Sequence, residues 1–420
     1  MRVPRTPPSV KLLLGSAVGA LNTANAYRPL ALRVPSATIP SGPAAWITTE
    51  LPLQTIAAQQ FATLVLASRG ALRSRVGRAG LALSAASWLA LYNLHREAQR
   101  SATVLEDALA RELGSDYRSR IVAPLTPPVD APLTRSEVAL APRGSRSRYL
   151  RAADATYGEH GKRNLLDVWA RADLASDAGA PVLVQIPGGA WVSGRKTGQS
   201  YPLMSHLSER GWICVSISHR LAPKAKWPAH IVDVKRAIAW VKEHIAEYGG
   251  DPSFVAVTGG SSGGHLTALA ALTANEPVFQ PGFEDADTTV QAAVPMYGVY
   301  DFVDDERLAH PGLRPHLERM VLTAKLADDR AVWELASPQY HLRADAPPFF
   351  VIHGANDSFT SARQARRFAE SLRAVSTQPV VHAELPYAQH AFDVVGSVRT
   401  RHTVRAIERF LDVSYCTAKT

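Results

Sequence analysis

From about residue 150 onward, short apolar runs alternate with amphipathic stretches in a steady rhythm. RNLLDVWA (163–170), PVLVQI (181–186), WICVSIS (212–218), FVAVTG (254–259), QAAVPMYG (291–298), PFFVIHG (348–354) and VVHAELP (380–386) read as strands. Unbroken apolarity over so few residues marks strands covered on both faces. Between them, AHIVDVKRAIAWVKEHIAEYG (229–249), SSGGHLTALAALTA (261–274), SARQARRFAESLRAV (361–375) and VRTRHTVRAIERFLDV (398–413) read as helices, the first closed by Gly249-Gly250. The alternation predicts an α/β domain, a mostly parallel sheet with helices on both faces, over residues 149–415.

Ahead of it the pattern changes. LLLGSAVGAL (12–21), TIAAQQFATLVLA (55–67) and AGLALSAASWLALYNL (79–94) are apolar helical segments, each short of the ~20 residues a bilayer span needs. The third is apolar all round, which asks for burial on every side. A separate amphipathic helix is expected over SATVLEDALARELGSDY (101–117), with Leu105, Leu109 and Leu113 on one stripe. The division is then an N-terminal helical appendage (1–122), a Pro-rich linker (123–148) and the α/β domain. Residues 12–21, with Ala24-Asn25-Ala26 behind them, imitate a secretory signal; the plainer reading is an apolar N-terminal helix.

Charge sharpens the contrast. Residues 1–150 hold 18 Lys and Arg against 8 Asp and Glu, a balance of +10, and the rest hold 28 against 29, a balance of −1. A body binding nucleic acid would carry the excess itself, so nucleic acid is not an expected partner. Arg69, Arg73, Arg75 and Arg78 lie between two apolar segments, which favours a helical hairpin resting on an anionic membrane through residues 1–100. The alternative is a helical pair packed on the α/β domain or on a second subunit. Location is accordingly expected to be membrane-associated or cell envelope, otherwise cytoplasmic, and deletion of residues 1–120 to release the protein from membranes with the activity of the α/β domain intact. The two cysteines make no disulfide framework; Cys214 reads as an inert core residue, and no pattern suggests a metal or cofactor.

Sites in parallel sheets lie beyond the carboxyl ends of the strands. Four candidates stand there: Gly188-Gly189-Ala190 after PVLVQIP, GGSSGG (259–264) after FVAVT, Asp357 after PFFVIHGAN, and His390 after HAELPYAQ. Both Ser261 and Ser262 satisfy Gly-x-Ser-x-Gly. A serine hydroxyl needs a base to remove its proton, the base needs an acid to hold its tautomer, and the developing oxyanion needs N–H donors. Ser…Asp…His is the chain order of α/β-hydrolases.

These residues resemble the hormone-sensitive-lipase group of α/β-hydrolase carboxylesterases, and among them the mycobacterial lipase/esterase proteins. The likeness covers about residues 150–412. PGGAWVSG resembles the oxyanion loop, SHRLAPKAKWPAHIVDVKRAIAWV the Tyr-Arg-Leu-Ala-Pro stretch with its helix, and GGDPSFVAVTGGSSGGHL the nucleophile elbow. APPFFVIHGANDS and LPYAQHAF resemble the acid and base loops. The resemblance implies an α/β-hydrolase fold and a triad of Ser261, Asp357 and His390. It also implies oxyanion donors at Gly189, Ala190 and Ser262, with Gly188 countable among them. The implied activity is a cofactor-free serine carboxylesterase acting on small-molecule esters with short-to-medium acyl chains. Amide or formamide hydrolysis on the same fold, and a non-catalytic membrane-associated scaffold, are the alternatives. Pro187 stands where the family has a histidine, and Gly260 where it has Asp or Glu. Oligomeric state is not fixed.

Nearby residues carry plainer expectations. Asp393 reads as a helix N-cap, His265 as a packing residue one turn below Ser261, and His353 as a core histidine. Trp191 walls the acyl pocket or packs in the core. Residues 301–340 interrupt the strand–helix rhythm and form either part of a cap or an edge insertion.

Overall fold

The computed structural model describes residues 6–30, 38–121 and 145–420. Helices α1 (Pro8–Tyr27), α2 (Thr38–Glu50), α3 (Pro52–Ser68) and α4 (Arg75–Leu113) come first. Strands β1 (Leu150–Thr156), β2 (Leu165–Trp169), β3 (Ala180–Ile186), β4 (Ile213–Ile217), β5 (Gly250–Gly260), β6 (Ala292–Met296), β7 (Phe349–Gly354) and β8 (Val380–Leu385) follow. The longer helices among them are α5 (Tyr201–Glu209), α6 (Ala229–His244), α7 (Ser262–Leu272), α8 (Ala362–Val375) and α9 (Val398–Lys419).

The eight strands form one sheet in the order β1-β2-β4-β3-β5-β6-β7-β8. β1 and β2 join antiparallel at one edge, and β4 through β8 run parallel. Central β3 sits in register with both neighbours, Val184 opposite Val215 on one side and Val257 on the other. Alternate residues of these strands feed two cores. α6, α7 and α8 close one face, against Val182, Val184, Val255, Val257 and Val351. α5, α9 and the C-terminal half of α4 close the other, where Leu105 and Leu109 meet Phe350, Ile352 and Val381.

The sequence expectations for β2 through β8 hold to within a residue or two, except that β5 begins earlier, at Gly250. β1 was not expected: LRAADAT is an edge strand whose residues are all at least partly exposed, so it carries no core alternation. In the N-terminal third the segments 79–94 and 101–117 fuse into the 39-residue α4. No Gly or Pro lies between Leu81 and Leu113 to stop it. Nor is the 79–94 stretch buried all round: Leu91 and Leu94 are buried, whereas Leu89 and Tyr92 are exposed. Among the described residues, no helix is long and apolar enough to cross a membrane. The Pro-rich segment lies almost wholly outside the described residues; residues 145–148 belong to a short helix, Ser145–Tyr149.

Candidate active site

β5 runs directly into Ser261, which adopts φ 60° and ψ −125°, and α7 starts at the next residue. A non-glycine residue in that region is strained and holds its side chain clear of strand and helix. The turn is this tight because its neighbours lack side chains. A Cβ at Gly263 would come within 2.3 Å of the Ile186 carbonyl oxygen, and one at Gly260 within 2.2 Å of the Tyr297 hydroxyl. The second contact accounts for Gly260 in this chain: the Tyr297 phenol occupies the space a carboxylate side chain would need.

The loops after β7 and β8 bring Asp357 and His390 to the same point. Ser261 Oγ lies 2.9 Å from His390 Nε2, and His390 Nδ1 donates to Asp357 Oδ2 at 2.7 Å. Asp357 is buried. Its other oxygen, Oδ1, accepts the backbone N–H groups of Phe359 (2.8 Å) and Thr360 (2.9 Å). Burial alone would raise its pKa, but the imidazoles of His390 and His353 more than offset this and hold the carboxyl below its ordinary value. His353 is therefore more than a core histidine: its Nε2 stands 3.4 Å from Asp357 Oδ2. Thr360 Oγ1 stands 2.9 Å from that same oxygen and 3.0 Å from the Tyr297 carbonyl.

The loop after β3 supplies the second half of the site. Ala190 (φ 53°) and Trp191 (φ 62°) are both left-handed, which turns the loop back toward Ser261. Gly188 departs from its expected role. Its N–H donates to Gln199 Oε1 at 2.8 Å and its carbonyl accepts from Gln199 Nε2 at 3.0 Å, so it anchors the loop and does not offer a free donor. Gly189 and Ala190 line the cavity beside Ser261 and His390. The N–H of Ser262 is a first-turn amide of α7 without an intrahelical acceptor. The Ser262 hydroxyl is buried and has no hydrogen-bond partner.

Trp191 is buried, and its Nε1–H donates to His265 Nδ1 at 3.2 Å. The opposite nitrogen, His265 Nε2, donates to the Ala336 carbonyl at 2.7 Å. Burial lowers the His265 pKa to about 4, so the ring is neutral and able to play both parts. His265 thus ties the loop to α7. On its outer side, His316 Nε2 donates to the Ala190 carbonyl at 3.0 Å. Asp393 caps no helix; Ser397 caps α9, and the Asp393 carboxylate accepts the Tyr297 hydroxyl.

The cavity measures about 830 Å³, and its walls include Val299, Leu313, Phe359 and Val394. From the 301–340 segment, His310, Gly312, Leu313 and His316 reach it, while Leu317, Val321 and Trp333 enter the core. The segment is cap at one end and core at the other. Among the described residues no group of three His, Cys, Asp or Glu is arranged to hold a metal ion.

Contributions from the N-terminal helices were not legible in the sequence. Trp46 of α2 donates its indole N–H to the Ala391 carbonyl at 3.0 Å, one residue past His390. Asn356, next to Asp357, donates to the Ala26 and Tyr27 carbonyls at the end of α1. Tyr27 meets Tyr387 edge to face at 5.2 Å. Glu50 pairs with the buried Arg399, which also donates to the Pro386 carbonyl. No local pattern marks these residues, because each acts on a loop more than 300 positions away.

Comparisons with known proteins show what the chain is similar to. The BD-FAE family model matches residues 166–372. The chain is 50% identical over 405 residues to "Probable carboxylic ester hydrolase LipM" of Mycobacterium tuberculosis, covering 96% of this chain and 93% of that one. It is 45% identical over 375 residues to "Esterase LipQ" of the same organism, covering 89% and 84%. Among solved structures, a truncated carbohydrate esterase from gut microbiota superposes with a TM-score of 0.53 at 22% identity, covering 64% of this chain and 98% of that one. This last likeness concerns the fold alone.

Proposed function

Because this chain belongs with the mycobacterial LipM, LipQ and LipC esterases of the hormone-sensitive-lipase group and has their α/β-hydrolase fold, we propose that it cleaves short-to-medium acyl esters through an acyl-enzyme on Ser261. It is a carboxylesterase, and its chemistry follows from the groups around the cavity. His390 Nε2 takes the Ser261 proton as Oγ attacks the ester carbonyl carbon. The N–H groups of Gly189, Ala190 and Ser262 hold the oxyanion. Collapse breaks the bond to the alkoxy oxygen, which leaves as the alcohol with the proton from His390. Water then attacks the acyl-serine by the same route and releases the acid. Asp357 keeps the proton on His390 Nδ1 and stabilises the imidazolium.

The observation that carries this reading is the unbroken line Ser261–His390–Asp357, at 2.9 and 2.7 Å, opening on an apolar cavity. A volume of about 830 Å³ lies in the range of small-molecule sites. The test compares Ser261→Ala with Ser262→Ala on p-nitrophenyl esters of increasing chain length. Loss of ~10⁴–10⁶ in kcat is expected for the first. Little change is expected for the second, since alanine keeps the backbone N–H and the Ser262 hydroxyl bonds nothing. Intact Ser261→Ala activity, or failure of the wild type to label with a fluorophosphonate, sinks the proposal.

We also propose a location at a membrane surface, which the +10 charge balance of residues 1–150 supports.

A further inference from the structure

α1, α3 and the first half of α4 pack together with their polarity reversed. Apart from Leu12 and a small apolar cluster of Ala26, Leu91 and Leu94, many of the contacts between them are small and polar. Ser16 and Ser84 share a hydrogen bond of 2.7 Å, as do Thr23 and Ser87, and Tyr27 donates to the Ala90 carbonyl at 2.8 Å. A Cβ at Gly80 would stand 3.0 Å from the Leu13 backbone, and one at Gly19 3.0 Å from the Gln59 amide. Large apolar side chains instead point outward. Leu21 is 69% exposed, Phe61 70%, Leu64 68% and Leu89 73%, with Leu14 and Val18 close behind.

In water this arrangement exposes more large apolar side chains than it buries, which leaves apolar area without cover. In lipid both features are favourable, because helices associate there through small residues and hydroxyl bonds while apolar side chains face acyl chains. A hydropathy average along one helix misses this, because the polar residues it counts face one another.

Charge selects the kind of membrane. Among the described residues from 6 to 94, the cations are Lys11, Arg28, Arg69, Arg73, Arg75 and Arg78, and the single acid, Glu50, is buried against Arg399. Arg69, Arg73, Arg75 and Arg78 are exposed at the turn joining α3 to α4, and Lys11 is exposed near the start of the α1 that packs beside Gly77.

We propose that the α1–α3–α4 bundle is a lipid-inserting element for anionic phospholipid bilayers, with its outer leucines and Phe61 among acyl chains and its turn arginines on lipid phosphates. This deepens the membrane location given above and is independent of the triad. Because α1 and α2 also bond the Asp357 and His390 loops, insertion holds the cavity close to the lipid surface, where acyl esters partition.

The test is flotation of the full chain with vesicles of phosphatidylcholine, alone or mixed with phosphatidylglycerol, alongside hydrolysis of a soluble short-chain ester. The wild type is expected to float with the anionic vesicles. A Leu21→Ser/Phe61→Ser/Leu64→Ser/Leu89→Ser variant is expected to lose at least tenfold in binding with soluble-ester hydrolysis unchanged. Arg69→Gln/Arg73→Gln/Arg75→Gln/Arg78→Gln is expected to lose the preference for anionic lipid. Should the serine variant be inactive through misfolding, the arginine variant and Phe61→Ser alone carry the test. A wild type that floats with neither vesicle overturns both the location and the inference. Variants that float like wild type overturn the bundle's role and leave the location standing. A wild-type dimer that the serine variant turns into a monomer, without vesicle binding, assigns the surface to a second copy and overturns the proposal. None of these outcomes bears on Ser261.

Discussion

The two regions of this chain solve the burial problem in opposite ways. In the sheet, Val184, Val215 and Val257 lie side by side in the interior and the helices seal them from water. In the N-terminal bundle, Ser16, Thr23, Ser84 and Ser87 are buried beside only a few apolar residues such as Leu12, Leu91 and Leu94, while Leu21, Phe61, Leu64 and Leu89 face outward. The first pattern is self-sufficient in water. The second needs an environment or a partner, and part of it comes from the catalytic region itself: the far half of α4 inserts Leu105 and Leu109 into the sheet's second core. The difference shows that an apolar segment says where area is available for burial, and only the fold says against what.

The largest break in this comparison is removal of the helices. The sequence alone suggested that deleting residues 1–120 leaves ester cleavage intact. The structure points the other way. The deletion uncovers the core beneath Leu105 and Leu109, two side chains together contributing about 3–6 kcal/mol. It also strips the Trp46, Tyr27 and Glu50 contacts from the acid and base loops. Chain 121–420 is expected to be insoluble, or to retain under about 1% of the wild-type kcat on a soluble ester. Full activity in that fragment would return the N-terminal helices to a mere appendage.

A smaller cut separates stability from catalysis. Glu50→Ala leaves the buried Arg399 guanidinium without its counter-charge, and such losses cost about 3–5 kcal/mol. Chemical denaturation is expected to show that drop. Trp46→Phe keeps the ring and deletes only the indole N–H that holds Ala391. The expected result is about a tenfold fall in kcat with KM nearly unchanged, from looser placement of His390. A change in KM alone would instead make Trp46 a wall of the substrate cavity.

How much of this was readable beforehand depends on whether the determining contact is local. Strands such as PVLVQI declare themselves because burial on both faces leaves almost only apolar positions, the buried Gln185 being the exception. Ser261, Asp357 and His390 declare themselves because each follows a strand that the sequence predicts. β1 did not, since an edge strand has little to bury. Nor did α2, whose Gly42 and Pro43 argue against a helix. At Gly188, countable among the proposed oxyanion donors, nothing near it in the sequence reveals that Gln199, eleven positions on, takes its amide. Thr360 and Trp46 were missed for the same reason: their chemistry is ordinary until the fold delivers them to a loop that matters.

Acidity offers a last and gentler way to pull the two regions apart. Burial holds His230 down to about 3 and His265 and His382 down to about 4, so all three are neutral in the folded sheet region at neutral pH. Unfolded, each would take a proton near pH 6.5. The unfolded chain therefore binds more protons as pH falls, and stability is lost from about pH 6.5 down toward 4 for His265 and His382 and toward 3 for His230, with no further loss from these groups below their folded values. At pH 6 the loss is under about 1 kcal/mol for each imidazole. Residues 1–94 contain no histidine, and their one acid is Glu50. Hydrogen exchange followed from pH 7 to 5 is expected to show protection falling in β5, α7 and β8 before it falls in α1 and α3. Parallel loss in both regions would mean that the bundle has no stability of its own and unfolds with the sheet.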